Sequence, residues 1–453
     1  MAAGFGNPAM LTDLYELTMA AVYHQRHMVE SATFSLFVRD PPPDRGFLVC
    51  AGLEAVLGYL EAFRFETEDL DFLESQGLFS AEFLHALSRV RFTGDVVAMT
   101  EGSLFFPDEP ILEVSAPILE AQLVETYLIN AVNLEVAVAT KAARCVHAAG
   151  GRGLVDFSLR RTHGRDAGLK VARSSWLAGF AGTSNVLAGQ RYGIPIVGTM
   201  AHSFITSFED EIAAFRAFAE SFPGNTVLLI DTYDTLEGGR KAVVVGREMA
   251  ARGEQLRGVR LDSGDMAELS RGVRRILDEG NLKDTLIFAS GGFDEHKIAQ
   301  VVAAGCAIDS FGVGTKMGVS ADAPYNDLAY KLVQYQDRPI LKLSSGKQSL
   351  TGEKQVFRLR DGGRLREDVI GLRGETHPGE PLLVPVMALG RRLGQPESLG
   401  EIRDRFATEF AALANVHKAL RNPARYPVRL SPKLTRLQQE TVRNTRIREL
   451  GES

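Results

Sequence analysis

From residue 154 onward short apolar runs alternate with amphipathic stretches, and no other feature of the chain restricts its fold so strongly. "LVDFSL" (154–159), "IPIVGT" (194–199), "TVLLID" (226–231), "GVRLD" (258–262), "TLIFAS" (285–290) and "DSFGVGT" (309–315) read as strands. Segments such as "EDEIAAFRAFAESF" and "DMAELSRGVRRILDEG" lie between them, with apolar residues at helical period. After the second run the strands recur at intervals of about thirty residues, the rhythm of consecutive βα units and a parallel sheet. Strands this apolar are buried on both faces. Six or seven such units in series predict an irregular, TIM-like parallel α/β barrel rather than an open sheet.

The flanking segments have a different grain. "LTDLYELTMAAVYHQRHM" (11–28) carries a Thr12/Asp13 helix-start signal, and "TFSLFVRDPPPDRGFLVCAGL" (33–53) reads as two strands joined by a proline-rich turn bearing Arg39 and Arg45. Residues 92–118 read as short antiparallel strands, and 119–150 as one or two long helices. These boundaries predict an N-terminal α+β domain over 1–118, linking helices and the barrel over 119–345, and a helical or irregular C-terminal extension over 346–453 that packs back on the rest.

In a parallel barrel, reactive groups collect where strands give way to loops at their carboxyl ends. Here those ends carry Asp156 and Arg160, Thr199 with His202, Asp231 with Asp234, Arg260-Leu261-Asp262-Ser263, Ser290-Gly291-Gly292, and Gly312-Val313-Gly314-Thr315. Glycine-rich loops expose backbone N–H groups that hold phosphate, and carboxylates hold ribose hydroxyls or a hard cation such as Mg²⁺. Each feature also has a plainer reading. "SGG" and "GVG" are common tight turns, and Asp231 and Asp234 suit helix N-caps. Arg260 and Asp262 face the same way on a strand and could form a structural ion pair. His202 could be a core histidine, Ser184 a helix N-cap before "NVLAG", and Trp176 a core aromatic, while His147 and His163 read as surface residues. "TVLLIDTYDTLEGG" lacks the paired acids and Thr-Gly ending of the Rossmann-like phosphoribosyltransferase motif.

Composition excludes several classes. A net charge of −6 gives no pull toward nucleic acid or anionic membrane. The apolar runs are far shorter than a spanning helix, and "MAAGFGNPAM" has no basic leader, so no membrane association is expected. The three cysteines, Cys50, Cys145 and Cys306, are widely spaced and form no CxxC pair, which fits a reducing cytoplasm.

Taken in order, "TDLYELTM", "FSLFVRDPPPDRGFLVCAGL", "VDFSLRR", "GTSNVLAGQRYGIPIVGTMAHSFITSF", "GVRLDSGD", "SGGFDE", "FGVGT", "AYKLVQ" and, near the C-terminus, "YPVRLSPKL" resemble the nicotinate phosphoribosyltransferase family. The resemblance implies an N-terminal α/β domain, an irregular α/β barrel and a homodimer with active sites shared between subunits. It implies that Tyr15 reaches the partner's site to stack on the pyridine ring, with Phe157 on the opposite face. Arg160, Ser184, Thr199 and Arg260 would surround nicotinate. Asp231, Asp262, Ser290, Gly291, Gly292, Gly314 and Thr315 would line 5-phosphoribosyl 1-diphosphate, and His202 would be transiently phosphorylated by ATP. Mg²⁺ is the implied cofactor, with ligands the resemblance leaves unassigned. The implied reaction forms nicotinate mononucleotide and diphosphate, and needs no general base because a pyridine nitrogen carries no proton. Competing readings are a related enzyme acting on nicotinamide or quinolinate, a phosphosugar-binding barrel without turnover, and an aldolase-type barrel using Lys316 as a Schiff-base lysine.

Overall fold

A computed structural model describes residues 8–344 and 349–451. They form two compact units, one of Val138–Pro324 and the other of the chain up to Ala137 together with the chain from Tyr325 onward.

The discontinuous unit is built on a seven-stranded sheet. An inner strand, Ser31–Val38, pairs antiparallel with Leu328–Tyr335 on one side and with the central strand Pro110–Pro117 on the other. All but the first residue of Ser31–Val38 are buried, as expected of a strand covered on both faces. The far end of the chain completes the sheet, with Leu383–Ala388 pairing with Asp95–Met99.

The expected helical or irregular C-terminal extension is corrected by this unit. Lys354–Asp361 and Arg364–Leu372 form an antiparallel hairpin at the centre of a four-stranded sheet. The signal is present in "KQVFRLRDGGRLREDVIGL", where the turn glycines Gly362 and Gly363 both take positive φ (54° and 80°). Paired left-handed residues match the twist of the flanking strands, and "DGG" is a hairpin turn rather than a breaker. Helices follow at Leu399–Ala412 and Pro432–Leu450.

The other unit holds the parallel sheet. Its strands are β1 (Gly153–Asp156), β2 (Gly182–Thr183), β3 (Val227–Leu229), β4 (Gly258–Leu261), β5 (Leu286–Ala289) and β6 (Ser310–Val313). Their spatial order is β2-β1-β6-β5-β4-β3, with every pairing parallel. Helices intervene at Arg165–Leu177, Glu211–Ser221, Thr235–Ala251, Met266–Glu279 and Glu295–Ala303. Asp210, Asp234, Asp265 and Asp294 each accept backbone N–H groups at the start of one of these helices. An aspartate between a buried strand and its helix therefore sets where the chain turns back.

The expected closed barrel is not observed as a continuous ring of paired strands, since β2 and β3 are the ends of the ladder. The run "IPIVGT" forms one bridge, Ile196 to Thr183, in place of the expected buried strand. Pro195 has no N–H to donate, and Ile196 is 59% exposed. β2 has only two residues, Gly182 and Thr183, at the end of "WLAGFAGT", and the sequence does not mark it as a strand.

Candidate active site

Alternation along β4 buries Val259 and Leu261 and turns Arg260 to the opposite face. There the guanidinium engages four partners. Nε donates to Ser290 Oγ at 2.8 Å, Nη1 to Thr199 Oγ1 at 3.0 Å and to the Met200 carbonyl at 3.2 Å, and Nη2 to Asp262 Oδ1 at 3.0 Å. A guanidinium has five N–H donors, so one remains for a ligand. Ser290 Oγ also donates to Asp262 Oδ1 in a short bond. Burial pushes the Asp262 carboxyl up, but the Ser290 hydroxyl, the Arg260 guanidinium and His202 outweigh it and hold it below the usual range. Asp262 is therefore a carboxylate at neutral pH. The pair is part of a network joining the ends of β4 and β5 to the Thr199 segment.

Asp231, just past β3, faces this network. Its Oδ2 accepts the Asp262 backbone N–H at 2.9 Å and the Ser263 hydroxyl at 2.6 Å. Its Oδ1 is buried without a partner among the described residues, an arrangement costly to leave empty. Asp234, by contrast, caps the next helix through Leu236 and Glu237. The two aspartates thus divide: Asp234 is the cap and Asp231 is available to a ligand.

His202 opens the short helix His202–Thr206 and is exposed, so it is not a core histidine. Its Nδ1 lies 3.1 Å from Thr232 Oγ1. Ser263 is among the strand-end residues the sequence marks, whereas Thr232 joins the site with adjacency to Asp231 as its only sequence signal.

Phe157 follows β1, and its ring centroid lies 5.5 Å from the Arg260 guanidinium carbon. Gly312 is required beside it, because a Cβ there would come within 2.8 Å of the Phe157 ring. The turn is stapled by Asp156, which accepts from Ser158 N at 2.9 Å, Ser158 Oγ at 2.5 Å and Thr183 Oγ1 at 2.8 Å. Burial pushes the Asp156 carboxyl up despite those bonds. Asp156 is a structural staple. Ser184 is half-buried and is not the helix N-cap, a role taken by the Asn185 side chain, which accepts from Ala188 N. Arg160 lies exposed in the turn Leu159–Arg161.

The remaining loops are close-packed backbone. Gly291 and Gly292 take φ of +107° and +68°, and a Cβ on Gly291 would sit 2.0 Å from the Asp262 carbonyl oxygen. Gly314 precedes the exposed Thr315, and Lys316 is ion-paired to Asp294 at 2.8 Å. That engagement removes the free amine a Schiff-base mechanism needs.

Tyr15 belongs to the other unit. It is 46% exposed on the helix Leu14–Gln25, and burial together with Glu125 raises its phenol well above the ordinary value. Its neighbour Glu16 accepts from Thr126 N at 2.9 Å and Thr126 Oγ1 at 2.5 Å. Burial, against the pull of those bonds, pushes the Glu16 carboxyl up to about 7. A raised carboxyl favours the folded state in its protonated form. That contribution is full below the unfolded value and is lost as pH rises through about 7. Glu16→Gln should therefore raise Tm relative to the unaltered protein by about 2–4 °C at pH 8 and by little at pH 5. Paired melting curves at the two pH values check this; an equal difference at both would contradict the sign.

An arginine, two carboxylates, an aromatic ring and glycine turns at the carboxyl edge of a parallel sheet define an α/β protein with the layout of a phosphoester-handling enzyme. Comparison with known proteins narrows the class. The nicotinate phosphoribosyltransferase (NAPRTase) family profile matches residues 153–347, and the profiles of that enzyme's N-terminal and C-terminal domains match residues 10–133 and 375–438. A nicotinate phosphoribosyltransferase of Mycobacterium tuberculosis is 50% identical over 428 residues, covering 94% of this chain and 92% of its own. The Bacillus subtilis enzyme is 40% identical over 356 residues, covering 77% and 72%. The crystal structure of the human nicotinic acid phosphoribosyltransferase superposes with a TM-score of 0.84 at 31% identity, covering 95% of this chain and 99% of that one. The chain belongs to the nicotinate phosphoribosyltransferase family.

Proposed function

We propose that the protein joins nicotinate to 5-phosphoribosyl 1-diphosphate, releasing diphosphate and nicotinate mononucleotide for NAD biosynthesis, with ATP hydrolysis coupled to the transfer. Beyond family membership, the observation that carries this reading is the Arg260 network beside Phe157. It offers a flat ring an aromatic surface and a carboxylate one free N–H on a fixed cation. The ring nitrogen attacks C1 of the ribose, and the C1–oxygen bond breaks with its electron pair leaving on diphosphate. Charge neutralisation and positioning supply the catalysis.

The residues present fit a divalent cation. The buried, unpartnered Asp231 Oδ1 is a hard oxygen donor on a carboxylate whose other oxygen holds the Asp262 backbone N–H. Bound Mg²⁺ would offset charge on the departing diphosphate, with Asp231 and Asp262 as its holders or as acceptors for ribose hydroxyls. The positive-φ turns at Gly291 and Gly292 and the Gly314–Thr315 loop suit the 5′-phosphate. Tyr15, half-exposed in the other unit, is proposed to complete a partner subunit's ring site in a homodimer.

The parallel sheet is proposed to be an irregular barrel left open at one seam. Beyond β2 the ladder continues only through Ile196, so the Thr199 segment lies five strand spacings from β4. In a flat sheet that would be about 24 Å, whereas Arg260 reaches Thr199 at 3.0 Å. This supports a rolled sheet. No helix among the described residues is long and apolar enough to cross a membrane; a cytoplasmic site of action is our proposal, supported by three buried free cysteines.

Diphosphate release from the donor with nicotinate, nicotinamide or quinolinate tests the assignment. Rapid release with nicotinate alone is expected. Equal turnover of nicotinamide would refute the acid preference, and no turnover of any base would favour a binding protein. Ser184→Asp should lower kcat/KM for nicotinate by about 10- to 100-fold while sparing nicotinamide, because a carboxylate there repels the substrate's own.

A further inference from the structure

Lys316 is left unused by the reaction above, yet it occupies the junction of the two glycine loops. Its Nζ pairs with Asp294 Oδ2 at 2.8 Å, while Asp294 Oδ1 accepts the Lys297 backbone N–H at 2.8 Å and caps the helix Glu295–Ala303. From that first turn Lys297 Nζ reaches back to the Gly291 carbonyl at 2.6 Å, and its ammonium lies 4.7 Å from the centroid of the Phe293 ring. One continuous polar chain thus runs from the residue after Thr315 to the carbonyl of Gly291, whose φ is positive. The Asp294 side chain is only 12% exposed and that of Lys316 50%, so the anion is anchored in the fold and the cation is delivered to it from the loop. Asp294's carboxyl, pushed up by burial, is brought below the usual range by the Lys316 ammonium and the Lys297 N–H.

We propose that Lys316 is a positioning residue for the phosphate end of the ribosyl donor: its ion pair with Asp294 clasps the Gly314–Thr315 loop to the Ser290–Gly292 loop, so that both present backbone N–H groups to one phosphate monoester. The inference rests on the reading that these loops receive the donor's 5′-phosphate. Each loop alone offers few donors to a doubly charged group, and holding them together removes an ordering cost from binding.

Lys316→Met, Lys316→Arg and Asp294→Asn test it, the last keeping a side chain that caps a helix nearly as well as aspartate. Two quantities are read: the KM values for donor and for nicotinate, and the affinity for ribose 5-phosphate by equilibrium dialysis. Lys316→Met and Asp294→Asn should each raise the donor KM and weaken ribose 5-phosphate about tenfold, with the nicotinate KM changed less than about twofold. Lys316→Arg should recover most of the loss, and the double variant Lys316→Met/Asp294→Asn should be no worse than either single. Unchanged ribose 5-phosphate affinity, equal shifts in both KM values, or additive losses would overturn the assignment. If Lys316→Met does not fold, Asp294→Asn and Lys316→Arg carry the same comparison. Failure of the unaltered protein to use nicotinate would remove the proposed reaction while leaving the ribose 5-phosphate measurement to judge Lys316 separately.

Discussion

Arg260→Ala should lower kcat/KM for nicotinate by about 10²–10³-fold and should also lower Tm by a few degrees. The side chain donates to Ser290, Thr199, Met200 and Asp262, so its loss leaves Asp262 and Ser290 without the cation that orders them. Removing one partner from a desolvated charge pair costs about 2–5 kcal/mol. The pair is 15% and 34% exposed, so solvent softens the effect toward the lower end. The substrate carboxylate loses its cation in the same step. Arg260→Lys keeps the charge but not the planar fork, and should fall between the two. A kcat/KM within about fivefold of the unaltered enzyme would make Arg260 a structural ion pair only. In the proposed homodimer, Arg260→Ala mixed with Tyr15→Ala should regain part of the activity through hybrid dimers. No recovery despite demonstrated subunit exchange would count against the shared site.

The second large effect is expected at His202, whose replacement by alanine should abolish ATP hydrolysis and ATP stimulation, with slow ATP-independent synthesis retained. In the proposed role Nδ1–H donates to Thr232 Oγ1 across 3.1 Å, which leaves the lone pair on Nε2. In that role this nitrogen would attack the γ-phosphorus of ATP, and the bond to the bridging oxygen would break with its electrons leaving on ADP. The helix behind His202 has five residues and offers little dipole of its own. Arg260, and Mg²⁺ if Asp231 holds it as proposed, would offset the incoming charge instead. Incubation with γ-labelled ATP should yield an acid-labile, base-stable label on the His202 peptide. Thr232→Val should reduce labelling by about tenfold without blocking donor binding, because the ring loses the partner that selects its tautomer. Full ATP-coupled turnover in His202→Ala would make the residue structural.

Much of the site was legible because the chemistry sits at strand ends, and strand ends are where an apolar run stops. Arg260, Asp262 and Ser290 could be placed on one edge from period and spacing alone, and they lie within hydrogen-bond reach of one another. The two aspartates of "IDTYD" could not be told apart in that way. Both followed a strand, and both suited a cap. Only the paths of the following helix and of the Asp262 backbone made Asp234 the cap and left Asp231 with a buried, empty oxygen. Ser184 failed as a cap because its neighbour Asn185 presents the better-placed oxygen, a difference of one residue that composition does not register.

The sequence by itself determined the βα rhythm of residues 154–315 and the gathering of polar residues and glycines at its strand ends. These are requirements of period and spacing, and they are written in consecutive residues; that Gly312 meets the Phe157 ring and Gly291 the Asp262 carbonyl belongs to the tertiary structure. The tertiary structure decided what joins across distance. It brought Leu328–Tyr335 and Leu383–Ala388 into the sheet begun by Ser31–Val38, left "IPIVGT" with a single bridge, and tied Thr199 to Arg260 and His202 to Thr232. Non-local pairing depends on which surfaces meet once the apolar faces are buried, and adjacency along the chain does not encode that choice.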